Sequence, residues 1–113
     1  TTAWQQTSDR RIKKNIVDNN IGLDKISQIQ VRNFEYKTED EIKDLPKNQV
    51  IKKEGIQLGV IAQELELIAP EMVTTESTGV KTVDSDNITW YLVNSIKELK
   101  KEIDLLKEDN KKK

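Results

Sequence analysis

DNITWYLVNSIKELKKEIDLLKEDNKKK, residues 86–113, decides how the rest of the chain can be arranged. Leu92, Ile96, Leu99, Ile103, Leu106 and Asn110 follow one another at intervals of 4, 3, 4, 3 and 4 residues. That alternation marks a heptad seam, with Ile96, Ile103 and Asn110 at one core position and Leu92, Leu99 and Leu106 at the other. Lys97, Glu98, Lys100, Lys101 and Glu102 lie between them and keep the remaining surface wet. The spacing predicts a long helix over about 86–110, started by Ser85 or Asp86 as N-cap. At about 1.5 Å per residue it is about 40 Å long. A stripe of that length exceeds what a small domain can cover, so it points to self-association. Packing against its own domain is the alternative. By the simple rule, isoleucine and leucine at these positions favour two parallel strands, and Asn110 specifies register.

The composition upstream agrees with a need for partners. The chain has 113 residues, of which 35% are apolar and 35% charged, and it holds one phenylalanine, two tyrosines and two tryptophans. A domain this short already buries a poor fraction of its surface, and so little apolar content predicts an elongated body or one completed by other chains. Net charge is −1, from 19 basic and 20 acidic residues, which gives no footprint for a nucleic acid. Cysteine and histidine are both absent, so disulfides, thiol catalysis and the usual zinc ligands are excluded. Only carboxylates could hold a metal, and no calcium-loop spacing is present; no metal and no cofactor are expected. No long apolar run or signal-type start leads to an expectation of a membrane partner or of export.

Working back from the helix, GVKTVD (79–84) reads as a short strand, and AQELELIAPEMV (62–73) as a short helix with Leu65 and Ile68 inward. Pro70 stops that helix, because proline disfavours helical geometry in the residue before it. In VIKKEGIQLGVI (50–61), Ile56, Leu58 and Val60 alternate as in a strand, and Gly55 permits a turn or bulge before them. VRNFEYK (31–37) alternates as well, with Phe34 and Tyr36 on one side. The polar stretch between these two, with Pro46, suits a solvent-exposed excursion. Ile21, Ile26 and Ile29 fall at helical spacing after Asn20, a candidate N-cap. The predicted class is α+β: a small antiparallel piece of two or three strands, short helices, a protruding arm near 38–50 and the long terminal helix. Residues 1–7, TTAWQQT, are uncharged and read as the end of an upstream region, with the domain proper over 8–113. The lysines 111–113 read as a frayed, solvated tail.

Chemistry-bearing residues concentrate in TSDRRIKKNI (7–16). A serine hydroxyl needs a neighbouring base to become a nucleophile. With no histidine in the chain, Lys13 is the candidate base for Ser8. Lysine serves only when neutral, and nearby positive charge or burial lowers its pKa toward working pH. Arg10, Arg11 and Lys14 push in that direction, whereas Asp9 opposes it unless an arginine occupies it. Residues five apart do not face one another on a helix and lie on opposite faces of a strand. A dyad therefore needs either a turn between the two residues or the lysine of another subunit. The pairs Asp84/Asp86 and Glu64/Glu66 read as helix-end or surface features, and Trp90–Tyr91 as core or interface.

Two stretches carry a family resemblance. SDRRIKKNI (8–16) resembles the S-D-x-R-[IL]-K-x-N-I opening of the intramolecular chaperone auto-processing domain, the S74 peptidase family. GVIAQELELIAPEMV (59–73) resembles its G-[VI]-I-A-Q-E-[LV]-x-x-x-x-P-E-x-V motif, and the closing valine-aspartate strand and long helix are similar too, so that the likeness covers 8 to about 108. Domains of this family sit at the C-terminus of phage tail spikes, tail fibres and neck appendages, and within some eukaryotic membrane-anchored transcription regulators. The resemblance implies a homotrimer, with Leu92, Ile96, Leu99, Ile103 and Leu106 as its seam. It implies that the trimer registers an upstream β-structured region of the same chain and then releases itself at the Thr7–Ser8 bond. In that case Ser8 is the nucleophile, Lys13 the general base, and Asp9, Arg11 and Asn15 support them. It also implies a host cytoplasmic site during assembly, with the upstream part retained in the virion. A trimerisation module that does not cut, and an adaptor that binds a foreign helix, are the alternatives.

Overall fold

In the computed structural model, which describes residues 6–112, most of the chain's length lies in connections around two short ladders and one long helix. The first helix, α1, spans Leu23–Ile26, and strands β1 (Arg32–Phe34) and β2 (Gln57–Gly59) follow. Helix α2 spans Ala62–Ile68, strands β3 and β4 span Val73–Thr75 and Lys81–Val83, and helix α3 spans Ile88–Lys111. β1 pairs antiparallel with β2, with Asn33 opposite Leu58; β3 pairs antiparallel with β4, with Thr74 opposite Thr82. The class is α+β, as the sequence predicts, but the strands form two separate two-stranded sheets.

The core sits where α2, the second sheet and the start of α3 converge. Leu65, Ala69 and Met72 are buried there, and Ile29, Val60, Val73, Val83, Ile88 and Tyr91 close around them. Pro70 does end α2. Ala69 leaves helical geometry at φ −140°, ψ 71°, and Pro70–Met72 form a single 3₁₀ turn that feeds β3. That turn brings the backbone back so that the amide of Asp84 reaches the carbonyl of Met72 at 2.8 Å, extending the second ladder by one bond. Ion pairs Lys25–Glu71, Arg32–Glu64 and Lys81–Glu66, at 2.8, 2.7 and 3.0 Å, tie α2 and its 3₁₀ turn to α1, β1 and β4. These pairs account for Glu64 and Glu66, which face different cations and do not form an acid/base couple.

Several local expectations are corrected. Asn20 does not cap α1; the cap is Gly22, which has no side chain. Glu98 of α3 substitutes by accepting the amide of Leu23 at 3.3 Å, and Asn94 donates to the carbonyls of Asn19 and Ile21. Gly22 is needed because α1 lies directly on α3: a Cβ there would stand 3.0 Å from the Ser95 amide nitrogen. Neither Ser85 nor Asp86 caps α3. Its N-cap, Asn87, makes no side-chain cap bond, and the start is a backbone turn from the Ser85 carbonyl to Ile88. The Asp84 carboxylate accepts the Asp86 amide at 3.0 Å, so that pair is a turn feature. Strand β3, which the sequence reading did not anticipate, begins at Val73, the last residue of the 62–73 stretch, and runs to Thr75. The expected strands at 31–37 and 50–61 each shrink to three residues, because the chain diverges beyond Phe34 and Gln57.

That divergence makes the arm. Between β1 and β2, residues 35–56 run out and back as an exposed excursion, stiffened by 3₁₀ turns at Glu39–Glu41 and Lys47–Gln49. Thr38 and Glu41 form a capping box, and the Lys47 ammonium bonds the carbonyls of Glu39 and Ile42. Gly55, at φ +86°, makes the return turn that its sequence position anticipates. The radius of gyration is 19.5 Å, against about 13 Å for a compact domain of this length.

Candidate active site

Ser8 and Lys13 meet. The Lys13 Nζ donates to Ser8 Oγ at 2.6 Å. The turn that the spacing demanded is a 3₁₀ helix over Arg10–Ile12, closed by amides of Ile12 and Lys13 onto the carbonyls of Asp9 and Arg10, both at 3.1 Å. Asp9 starts it: its Oδ1 accepts the Arg11 amide at 2.8 Å, an N-cap bond. The Arg11 side chain then returns to the same carboxylate, Nε at 3.1 Å from Oδ1 and Nη2 at 2.8 Å from Oδ2. The side-chain bond from Arg11, and next its backbone bond, hold the Asp9 carboxyl below its ordinary pKa. Arg11 is held above its own by the same pairing.

Asn15 stands just beyond, at φ +55°, the only described non-glycine residue with positive φ. Asparagine tolerates this left-handed geometry better than most side chains. It places a left-handed residue two positions after Lys13. Thr7 and Ser8 are exposed coil, and Ile12, Ile16 and Val17 near the pair are exposed apolar side chains. Trp4 lies outside the described residues. Among the described residues, no hydrogen bond or ion pair joins residues 8–16 to any other element. Nor is any group of three or more acidic side chains placed to hold a metal ion, and no helix is long and apolar enough to cross a membrane.

At the other end of the chain the seam is unpartnered. Leu92, Ile96, Leu99, Ile103 and Leu106 are 43% to 65% exposed. Total accessible surface is 10030 Å², whereas a compact chain of this mass presents about 6,300 Å². The chain therefore exposes roughly 3,700 Å² more than a compact chain of its mass.

The class these features define is an extended α+β body that carries a serine–lysine contact and a long helix with an exposed apolar face. The family comparison agrees with this class. Residues 8–74 match the Peptidase_S74 family model, described as chaperone of endosialidase, and the chain belongs to that family. The match opens on Ser8 and closes within β3, so it takes in the Ser8–Lys13 turn, the arm and α2. Curated proteins gave no match to the chain.

Ser8, Lys13, Asp9 and Arg11, singled out in the sequence, meet in one turn of the structure. What the sequence reading missed is the bridging role of Glu98. The signal was present in part, since Gly22 before an apolar helix leaves a cap wanting, but nothing local names an acceptor 75 residues from Leu23.

Proposed function

We propose that this domain trimerises through α3, holds an upstream β-structured part of the same chain in register, and then severs the Thr7–Ser8 bond with Ser8 as nucleophile and Lys13 as base. The single observation that carries the reading is the 2.6 Å contact between Lys13 Nζ and Ser8 Oγ, formed across five residues by a dedicated turn. Family membership supports the chaperone part, and the uncovered seam supports assembly.

The chemistry follows from the pair. Neutral Lys13 accepts the Ser8 hydroxyl proton as Oγ attacks the carbonyl carbon of Thr7. The C–N bond to Ser8 breaks, and Lys13 returns the proton to the departing nitrogen. Thr7 is then held as an ester on Ser8 Oγ, and water opens it to a Thr7 carboxylate and the original serine. Each chain reacts once. Lysine must lose its charge to begin, and a solvated amine resists that near neutral pH. In one protomer both residues are exposed. Covering them with neighbouring protomers, beside Ile12, Ile16 and Val17, supplies the desolvation and couples cutting to assembly.

The chaperone role has its own physical logic. A triple-stranded β-structure is rich in non-local contacts, and its register must be set before those contacts form. A trimeric clamp raises the effective concentration of the three strands. Cutting afterwards makes the product kinetically locked, since the released fibre no longer carries the clamp. On this reading the chaperone acts in the host cytoplasm and the upstream part enters the virion.

A chain carrying its natural upstream neighbour is expected to give two bands on a denaturing gel, and Ser8→Ala or Lys13→Ala one. Persistent cutting at Thr7–Ser8 in Ser8→Ala would remove the dyad from the account.

A further inference from the structure

Lys13 sits four residues after a carboxylate, yet the two do not pair. Among the described residues, the only ion pair within residues 8–16 is Asp9–Arg11, and the only hydrogen bond of Lys13 Nζ is to Ser8 Oγ. Both Asp9 oxygens are engaged, Oδ1 by the Arg11 amide and Nε, Oδ2 by Nη2 and, at 3.3 Å, by Nε. Arginine wins this contest for geometric reasons. Its planar fork matches both carboxylate oxygens at once, while an ammonium acts as a single point charge. The turn itself needs only a cap acceptor at position 9, which a neutral asparagine also provides. An acid there, clamped by an arginine two residues on, is more than the fold requires.

We infer that Arg11 is a positioning residue for self-cleavage: by holding the Asp9 carboxylate in a closed pair it keeps that negative charge off the Lys13 amine and leaves the amine to the Ser8 hydroxyl. The inference rests on the dyad reading of the preceding subsection. The closed pair has no net charge, so it presents no uncompensated carboxylate to the Lys13 amine. Opening the pair exposes a carboxylate that stabilises the ammonium and withholds the base. No charged side chain of another element bonds to residues 8–16 among the described residues, so these four charges set the local balance within one protomer.

The charge argument makes three variants move in different directions. In the chain with its natural upstream neighbour, the pH at which the cleavage rate reaches half its maximum is followed. Arg11→Gln frees the carboxylate, and the midpoint rises by roughly half to one pH unit. Asp9→Asn keeps the cap but leaves Arg11 as an unpaired cation, and the midpoint falls by a similar amount. The double variant D9N/R11Q, again neutral, returns to within about 0.2 unit of the parent. A merely structural pair would slow all three variants with a common midpoint, and that outcome overturns the inference. A second measurement does not depend on cutting. In a Ser8→Ala background, nitrogen-15 NMR titration of the Lys13 amine in the assembled protein should show the same up, down and restored order. If the parent never cleaves, the dyad reading fails while this titration still decides the charge inference; an unchanged Lys13 titration across the variants refutes it.

Discussion

Replacing Ile103 by alanine separates a helix that is covered by other protomers from one that is bare in solution. Ile103 is 50% exposed in the single chain and touches no buried core residue. If α3 stayed bare, the substitution would exchange a modest helix former for the best one, and the helix would gain about 0.4 kcal/mol. If three copies pack along the seam, the outcome reverses. Deleting a fully buried isoleucine side chain to alanine costs about 2–5 kcal/mol, and half of the side chain is already sheltered here. The loss at the interface is then about 2 kcal/mol per protomer, or about 6 kcal/mol per trimer. At about 1.4 kcal/mol per tenfold, the trimer association constant falls by roughly four orders of magnitude. Sedimentation equilibrium over a range of concentrations reads this directly. Equal association by parent and Ile103→Ala, or tighter association by the variant, would refute the seam and with it the argument from missing surface.

Three further outcomes are expected. Gly22→Ala forces a methyl into the Ser95 backbone, so α1 must move off α3 and lose the Glu98 cap; about 1–3 kcal/mol of stability is lost in urea unfolding, and Glu98→Ala, which removes only the cap, costs about 1 kcal/mol. Asn15→Gly is tolerated, whereas Asn15→Val, which crowds a left-handed residue, costs about 1–2 kcal/mol of local turn stability and slows cleavage together with a weakened Ser8–Lys13 contact by NMR. Glu64 and Glu71 are held below the ordinary glutamate value of 4.5 by their bonds to Arg32 and Lys25. Their folded-state pKa values are depressed, so their contribution is complete above 4.5 and is lost as pH falls through the lower folded values. Circular dichroism should show acid loosening below that point, and Glu64→Gln should make it shallower.

The parts legible in the sequence were those fixed by a single local rule. The 4-3-4-3-4 spacing of Leu92 to Asn110 gave the long helix, because no other structure repeats apolar residues at that interval. Pro70 gave the end of α2, and the polar run through Pro46 gave the arm. Strand β3 was hidden because Val73, Thr74 and Thr75 have strand propensity but too little length to outweigh the helical motif before them, and their pairing depends on a turn at Glu76–Val80. The start of α1 was misplaced because its cap comes from Glu98, a contact that no local window contains. Ile56 and Leu58 alternate as if one face were buried, yet both are exposed in the single chain. Ser8 and Lys13 could be nominated from their chemistry, but a five-residue spacing meets in no regular element. Their contact required the turn that Asp9 starts and Arg11 clamps.

The most direct measurement is intact mass followed through time on the chain with its upstream neighbour, with trimer content of the same samples followed by light scattering. The account predicts that a fragment beginning at Ser8 accumulates in step with the trimer and never ahead of it. Fully trimeric protein that keeps its original mass indefinitely, or a fragment beginning at any other residue, would contradict it.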